Sequence, residues 1–160
     1  MNSAITRVVL LLTILVFFSR TTQAQMIEKK TVSLALAKKI AAAGETEAAK
    51  NNLTNVIAVV DDGGNLVYLE RMDGAQIGSI EIALEKAKTA IYFKRATKTY
   101  EDRVASGTNA ILKLPNVIPF EGGLPLIVDG QFVGAVGVSG GNPQQDGIVA
   151  KAAADALSAK

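Results

Sequence analysis

Hydrophobic positions in the first half of the chain follow the period of a helix and then that of two strands. Apolar residues and many alanines over residues 31–52 predict a helix, with Thr31 or Ser33 as its amino-terminal cap. The nearly continuous apolar run at 56–60 predicts a strand, and residues 66–72 predict a second one after a turn whose residues tolerate positive φ. The two strands are therefore expected to form a β-hairpin.

The second half of the chain predicts two more helices, a second hairpin and a final helix. Residues 79–93 place their apolar side chains on one helical face, and a shorter helix is expected at 98–105, before a long irregular loop. Residues 123–138 predict two strands around an Asp-Gly turn, which makes a second hairpin. An alanine-rich helix is expected at 144–158.

Two of these helices carry start signals. Ser79 is the expected cap of the helix at 79–93, and Asn142-Pro143 precedes the last helix. The order is α, β-hairpin, α, α, β-hairpin, α, and hairpins require antiparallel pairing. The predicted fold class is therefore α+β, a mostly antiparallel sheet of two hairpins covered by helices.

The start of the chain has the order of a secretory signal peptide. One basic residue precedes an apolar run at 8–18, and the small residues Thr22 and Ala24 form a cleavage site. The run is shorter than the about 20 residues that a membrane-spanning helix needs. We therefore expect 1–24 to be removed and 25–160 to fold as one domain without a membrane span, in the periplasm or secreted. An uncleaved membrane anchor is the alternative.

Charge and composition exclude several classes of function. The chain has 17 basic and 15 acidic residues, and removal of a leader containing Arg7 and Arg20 would leave it formally neutral. Without a basic stripe, nucleic acid is not expected as a partner. The chain contains neither cysteine nor histidine, which excludes disulfides, thiol nucleophiles and histidine ligands.

Five segments share their residues, order and spacing with one family: residues 58–66, 71–75, 79–90 with Lys86-Ala87-Lys88-Thr89-Ala90, 121–126 and 134–141, followed by Asp146. Together they closely resemble the GlcG/HbpS-type family of haem-binding proteins. The resemblance implies a profilin-like α+β fold, assembly as a homo-oligomer and, in several members, binding of haem or a corrinoid. It implies little about catalysis.

Haem requires an apolar slot, partners for its propionates and usually an axial ligand to the iron. In related proteins a histidine or a threonine is associated with the iron, and the motif places that threonine at Thr89. Met72 and Tyr92 are further candidate ligands, although neither is carried over from the family motif. Thr89 and Tyr92 could alternatively be helix residues that pack against the sheet.

Two cations are candidates for the propionates. Arg71 and Lys86 could bind them, because guanidinium and ammonium groups bind carboxylates well. Ordinary surface ion pairs are the alternative, with Arg71 beside Asp73 and Lys86 near Glu81 and Glu85.

Glycine-rich turns are the remaining candidates. In Glu121-Gly122-Gly123, glycines would let the backbone approach a ligand and would leave amide groups available. A plain turn into the strand is the alternative. The turn at 139–142 leads into a helix and could hold an anion, or could simply connect two elements.

These features leave three hypotheses open. The leading one is an exported, non-catalytic haem-binding protein that senses, stores or sequesters haem. The second is a binding module for a corrinoid or a small anionic metabolite. The third is an enzyme acting on a small organic acid, with Glu121 as acid/base and Arg71 as carboxylate clamp; it ranks last because the chain offers no nucleophile-base pair.

Overall fold

The computed structural model describes residues 25–158, where four α-helices surround one four-stranded antiparallel sheet. The helices are α1 (Leu34–Lys50), α2 (Ser79–Tyr92), α3 (Lys98–Ala105) and α4 (Pro143–Asp155). The strands are β1 (Val56–Asp61), β2 (Leu66–Arg71), β3 (Gly123–Val128) and β4 (Gln131–Ser139). The predicted α+β class is confirmed. The predicted signal peptide at 1–24 lies outside the described residues, and none of the helices within 25–158 has the length and apolarity needed to cross a membrane.

Both predicted hairpins are present in the sheet, whose strand order is β2-β1-β4-β3. The first strand of the first hairpin, β1, pairs at the centre with the second strand of the second hairpin, β4. Every neighbouring pair of strands is antiparallel. The second hairpin turns at Asp129 and Gly130, whose φ angles are 50° and 74°. Positive φ at both positions is typical of the two-residue turns that connect antiparallel strands.

Helices cover both faces of the sheet. Helix α2 packs on one face against β1, β3 and β4, while α1 and α4 pack together on the other. The central strand β1 is therefore buried on both sides, which explains its continuous apolar sequence. Ile57 and Val59 belong to the large cluster under α1 and α4, whereas Val56, Ala58 and Val60 belong to two smaller clusters under α2.

At Gly137 of β4, helix α2 approaches the sheet with no side chain between the two backbones. A Cβ atom on Gly137 of β4 would collide with the Ala83 carbonyl oxygen and lie 2.5 Å from the Ala87 amide nitrogen. Small residues on both sides of this contact thus bring the backbone of α2 against β4. The position of α2 depends on the absence of a side chain at residue 137.

The helix starts confirm two of the predicted caps and correct the third. Ser33 caps α1 by accepting from the Leu36 amide at 3.3 Å, and Asn142 begins α4 with a reciprocal capping box to Gln145. The prediction for Ser79 is wrong: it is the first residue of α2, it is buried, and Gly78 occupies the cap position without a side-chain bond. The preceding turn already supplies backbone bonds to Ser79 and to Ile80, so α2 begins without a side-chain cap.

The long loop predicted after α3 contains a short 3₁₀ helix at Asn109–Lys113. Its Ile111 side chain is buried, while the flanking Leu112 and Leu114 are exposed. A single buried side chain has no period, which is why the sequence pattern did not predict this element.

We expect Gly137→Ala to lower the free energy of unfolding by at least about 2 kcal/mol, because the added methyl group would force α2 away from β4. Gly78→Ala is the control, since a Cβ there meets nothing within 4 Å, and it should cost less than about 1 kcal/mol. Urea unfolding followed by far-UV circular dichroism measures both. Equal costs for the two variants would contradict the close packing of α2.

Candidate ligand-binding site

Lys86, predicted from the sequence as a propionate partner, lies inside the protein. Its side chain is only 2% exposed, and its Nζ donates to the Val138 carbonyl at 2.9 Å and to Asp146 Oδ2 at 2.8 Å. The alternative of a surface ion pair with Glu81 or Glu85 is wrong, because α2 turns this side chain inward. Lys86 instead forms a buried ion pair with a residue 60 positions later in the chain.

Asp146 stands in the first turn of α4, with its carboxylate as deeply buried as the lysine. While Oδ2 binds Lys86, Oδ1 accepts from Asn55 Nδ2 and from the Gly141 amide, both at 2.9 Å. A buried charge is tolerated only when it is paired and hydrogen-bonded, and this carboxylate satisfies both conditions. We refer to Lys86, Asp146 and Asn55 as the buried network.

Gly122 and Gly123 lie directly against this network. Gly122 has a φ of 121°, and a Cβ on it would lie 2.7 Å from the Val138 carbonyl oxygen and 3.0 Å from Lys86 Nζ. A Cβ on Gly123 would collide with the Lys86 carbonyl oxygen, and the Gly123 amide donates to Thr97 Oγ1 at 2.9 Å. The close approach predicted for these glycines is therefore made to the protein's own lysine, and the Gly123 amide is already bonded.

A cleft of about 210 Å³ opens beside the buried network. Its walls come from α2, the loop before β3, the end of β4 and the start of α4. The lining residues are Ile82, Lys86, Phe120, Ser139, Gly141, Pro143 and Asp146. The cleft thus combines an apolar rim with a buried ion pair, and the Gly-rich turn predicted at 139–142 forms part of it.

Glu121 packs beside the cleft without being one of its lining residues. Its carboxyl group lies against α4, where a Cβ on Gly147 would collide with Oε1. Burial raises the pKa of Glu121, and the neighbouring Lys98 partly offsets this while Glu101 adds to it. A carboxyl in this setting holds its proton to a higher pH than a solvated one.

Thr89, the predicted iron ligand, is fully buried one turn beyond Lys86 on α2. Its hydroxyl donates to the Asn116 carbonyl at 2.9 Å and accepts from the Ile118 amide at 3.0 Å. The side chain therefore anchors the loop that leads to Phe120 and the cleft. Its role as an iron ligand stays a prediction.

The three other sequence candidates lie apart from the cleft. Arg71 is exposed at the end of β2. The sulfur of the following residue, Met72, accepts a hydrogen bond from the backbone amide of Asn55 at 3.4 Å. Tyr92 is half-exposed at the far end of α2, where its ring covers Gly64 of the first hairpin turn. The structure thus brings Lys86, Gly122 and Gly123 together, and leaves Arg71 and Tyr92 outside this group.

A larger cavity of about 490 Å³ lies at the Tyr92 end of α2, and the sequence did not predict it. Three lysines, Lys29, Lys30 and Lys94, line it together with the apolar side chains of Ile27, Ile91 and Phe132, and the other lining residues are Glu28, Asp62, Gly130 and Gln131. Lys30 pairs with Asp129 at 2.7 Å and Lys94 lies over the Phe132 ring at 5.3 Å. The lining residues come from four separate parts of the chain, at 27–30, 62, 91–94 and 130–132, so no local motif marks the cavity.

Residues 32–155 match the family model described as "Haem degrading protein HbpS-like". Among curated proteins, protein GlcG of Escherichia coli K12 is 48% identical over 111 residues, which cover 69% of this chain and 83% of GlcG. The corrinoid adenosyltransferase PduO of Salmonella typhimurium is 36% identical over 107 residues, but this match spans only 32% of PduO.

Two solved structures share the fold of this chain at sequence identities above 30%. Protein ORFY of Klebsiella pneumoniae superposes with a TM-score of 0.80 at 38% identity, covering 88% of this chain and 99% of ORFY. The structure of a PduOC–haem complex superposes with a TM-score of 0.72 at 31% identity, covering 80% of this chain and 96% of that one.

We expect Lys86→Met to cost about 3–5 kcal/mol of unfolding free energy, because it leaves the Asp146 carboxylate buried without its cation. The double variant Lys86→Met/Asp146→Asn should cost clearly less than the sum of the two single variants, since it removes both charges. Urea unfolding of the three variants measures the coupling.

Lys151→Met is the matched control, because Lys151 pairs with Asp155 at 2.6 Å on the surface, with 71% and 64% of the two side chains exposed. Loss of such an exposed pair costs at most about 1 kcal/mol. Costs that simply add in the double variant would show that Lys86 and Asp146 do not stabilise each other.

Proposed function

The chain belongs to the HbpS-like family, and we propose that it is an exported haem-binding protein. The observation that carries the proposal is its likeness to the PduOC–haem complex, at 31% identity over almost the whole of that chain. The larger cavity supports it with a suitable size and lining.

The larger cavity meets two of the three requirements of haem. Its volume of about 490 Å³ falls in the range of ligand pockets, whereas the cleft beside the buried network is smaller than that range. Ile27, Ile91 and Phe132 would contact the macrocycle, and the lysines at the rim would bind the propionates. Lys29 and Lys30 each pair with an aspartate, but 72% and 55% of the two lysine side chains are exposed, and such pairs are weak enough for a propionate to displace.

The third requirement, an axial ligand of the usual type, is not met by the described residues that line the cavity. Among the described residues that line the cavity there is no tyrosine or methionine, and the whole chain lacks histidine and cysteine. Binding would therefore depend on burial of the macrocycle and on the propionate contacts. Haem bound there would supply a redox-active iron, and the residues of the chain would orient it and limit its contact with water.

A corrinoid is the second candidate ligand, because PduO, a corrinoid adenosyltransferase, is a relative. The chain spans only about a third of PduO, so the proposal for this chain is limited to binding. Competition between cobalamin and haemin distinguishes a shared site from two separate ones.

We expect haemin to bind the purified protein with a saturable, shifted Soret band at one haem per chain, with serum albumin as positive control. Lys94→Glu should weaken binding about tenfold, because it replaces a propionate partner with a repelling carboxylate. Lys151→Glu makes the same charge change away from the cavity and should leave binding unchanged. Thr89→Ala tests the threonine predicted from the family motif.

The titration tests separately whether haem binds and where on the protein it binds. A spectrum no different from that of free haemin would overturn haem binding. Weaker binding in Thr89→Ala with no effect of Lys94→Glu would keep the function and move the haem to the middle of α2.

For export, we expect the full chain made in a Gram-negative host to reach the periplasmic fraction with Gln25 as its first residue. Ala24→Leu should block cleavage, because the peptidase requires a small residue there, whereas Gln23→Leu at the tolerant neighbouring position should not. Intact-mass measurement identifies the cleavage point. An uncleaved chain in the cytoplasmic fraction would contradict export.

A further inference from the structure

We propose that the cleft beside the buried network binds a small carboxylic acid with a short apolar chain, at a site separate from that proposed for haem. The cleft lies against the first half of α2, at Ile82 and Lys86, whereas the larger cavity lies at the other end of this helix, at Ile91 and Lys94. This inference does not depend on haem binding.

Two hydrogen-bond donors that line the cleft are not fully used by the protein. Lys86 Nζ has three N–H groups, and the described residues supply two acceptors, the Val138 carbonyl and Asp146 Oδ2. Ser139 as a residue is 7% exposed, and within residues 25–158 its hydroxyl has no hydrogen-bond partner. A ligand that accepts from both groups would therefore make hydrogen bonds that the protein leaves unmade.

Among the described residues that line the cleft, the one negative charge is already compensated. The Asp146 carboxylate is already compensated by Lys86 and by the two N–H donors from Asn55 and Gly141. Helix α4 begins at the cleft with Pro143, and the amino-terminal end of a helix carries a partial positive charge. An incoming carboxylate would therefore face unused donors and the positive end of a helix dipole.

The size and rim of the cleft limit the rest of the ligand. Its volume of about 210 Å³ equals that of roughly seven water molecules at about 30 Å³ each, which suits an acid of a few carbon atoms. Ile82, Phe120 and Pro143 form the apolar rim, and Ile82 and Phe120 are partly open to solvent. A short alkyl chain would cover these side chains while the carboxylate reaches Lys86 and Ser139.

The test is a titration of the purified protein with butyrate, monitored by ¹⁵N–¹H NMR. We expect saturable shifts of the Ser139 and Gly141 amides and none at Lys94 or Phe132, which line the larger cavity. Butyramide, which has nearly the same shape without the charge, should bind at least tenfold more weakly. Equal affinity for butyrate and butyramide would overturn a carboxylate site, and the absence of saturable shifts would overturn the cleft as a binding site.

Two variants test the residues without breaking the ion pair. Ser139→Ala should weaken butyrate binding severalfold, and Ile82→Glu should weaken it at least tenfold because it places a carboxylate at the rim. Ile127→Glu is the control for Ile82→Glu, since it changes another half-exposed isoleucine, on β3 and away from the cleft. Equal effects of these two substitutions would contradict the proposal.

The same variants keep this proposal distinct from haem binding. Ile82→Glu should bind haemin like the unsubstituted protein, because Ile82 does not line the larger cavity. If Ile82→Glu and Lys94→Glu each weakened both ligands equally, the two sites would not be separate and the inference would fail.

Discussion

The buried ion pair between Lys86 and Asp146 connects the two helix layers of the protein. Lys86 belongs to α2 on one face of the sheet, and Asp146 belongs to α4 on the other. The same two side chains also bind the Val138 carbonyl at the end of β4 and Asn55 just before β1. Burying charges is costly, so we expect this pair to contribute less through net free energy than by favouring one relative placement of α2 and α4.

That placement positions two concave surfaces along a single helix. The cleft uses the residues of α2 around the ion pair, and the larger cavity uses the residues after Thr89. Thr89 lies on α2 between the two regions, and its buried hydroxyl binds Asn116 in the loop that continues to the rim of the cleft. The chemistry of the two surfaces differs: one has an internal, compensated charge pair and the other has lysines at a solvent-exposed rim.

The fold was predictable from the sequence where local pattern determines structure. The apolar run of β1 and the Asp129-Gly130 turn reflect interactions between residues close in the chain, and both predictions are confirmed. The role of Lys86 was not predictable in this way, since Glu81 and Glu85 are its sequence neighbours and its actual partner is 60 residues away. For the same reason the larger cavity, built from residues far apart in the chain, left no signal in the sequence.

The backbone contact between α2 and the sheet has an evolutionary consequence. At positions 123 and 137 a side chain would meet the backbone of α2 itself, which has no rotamer to change. A lineage that replaced either glycine would have to lift α2 and thereby withdraw the lysine ammonium from its carboxylate. These glycines and the ion pair are therefore expected to be inherited together or lost together, whereas the apolar rim of the cleft is free to diverge with the ligand of each descendant.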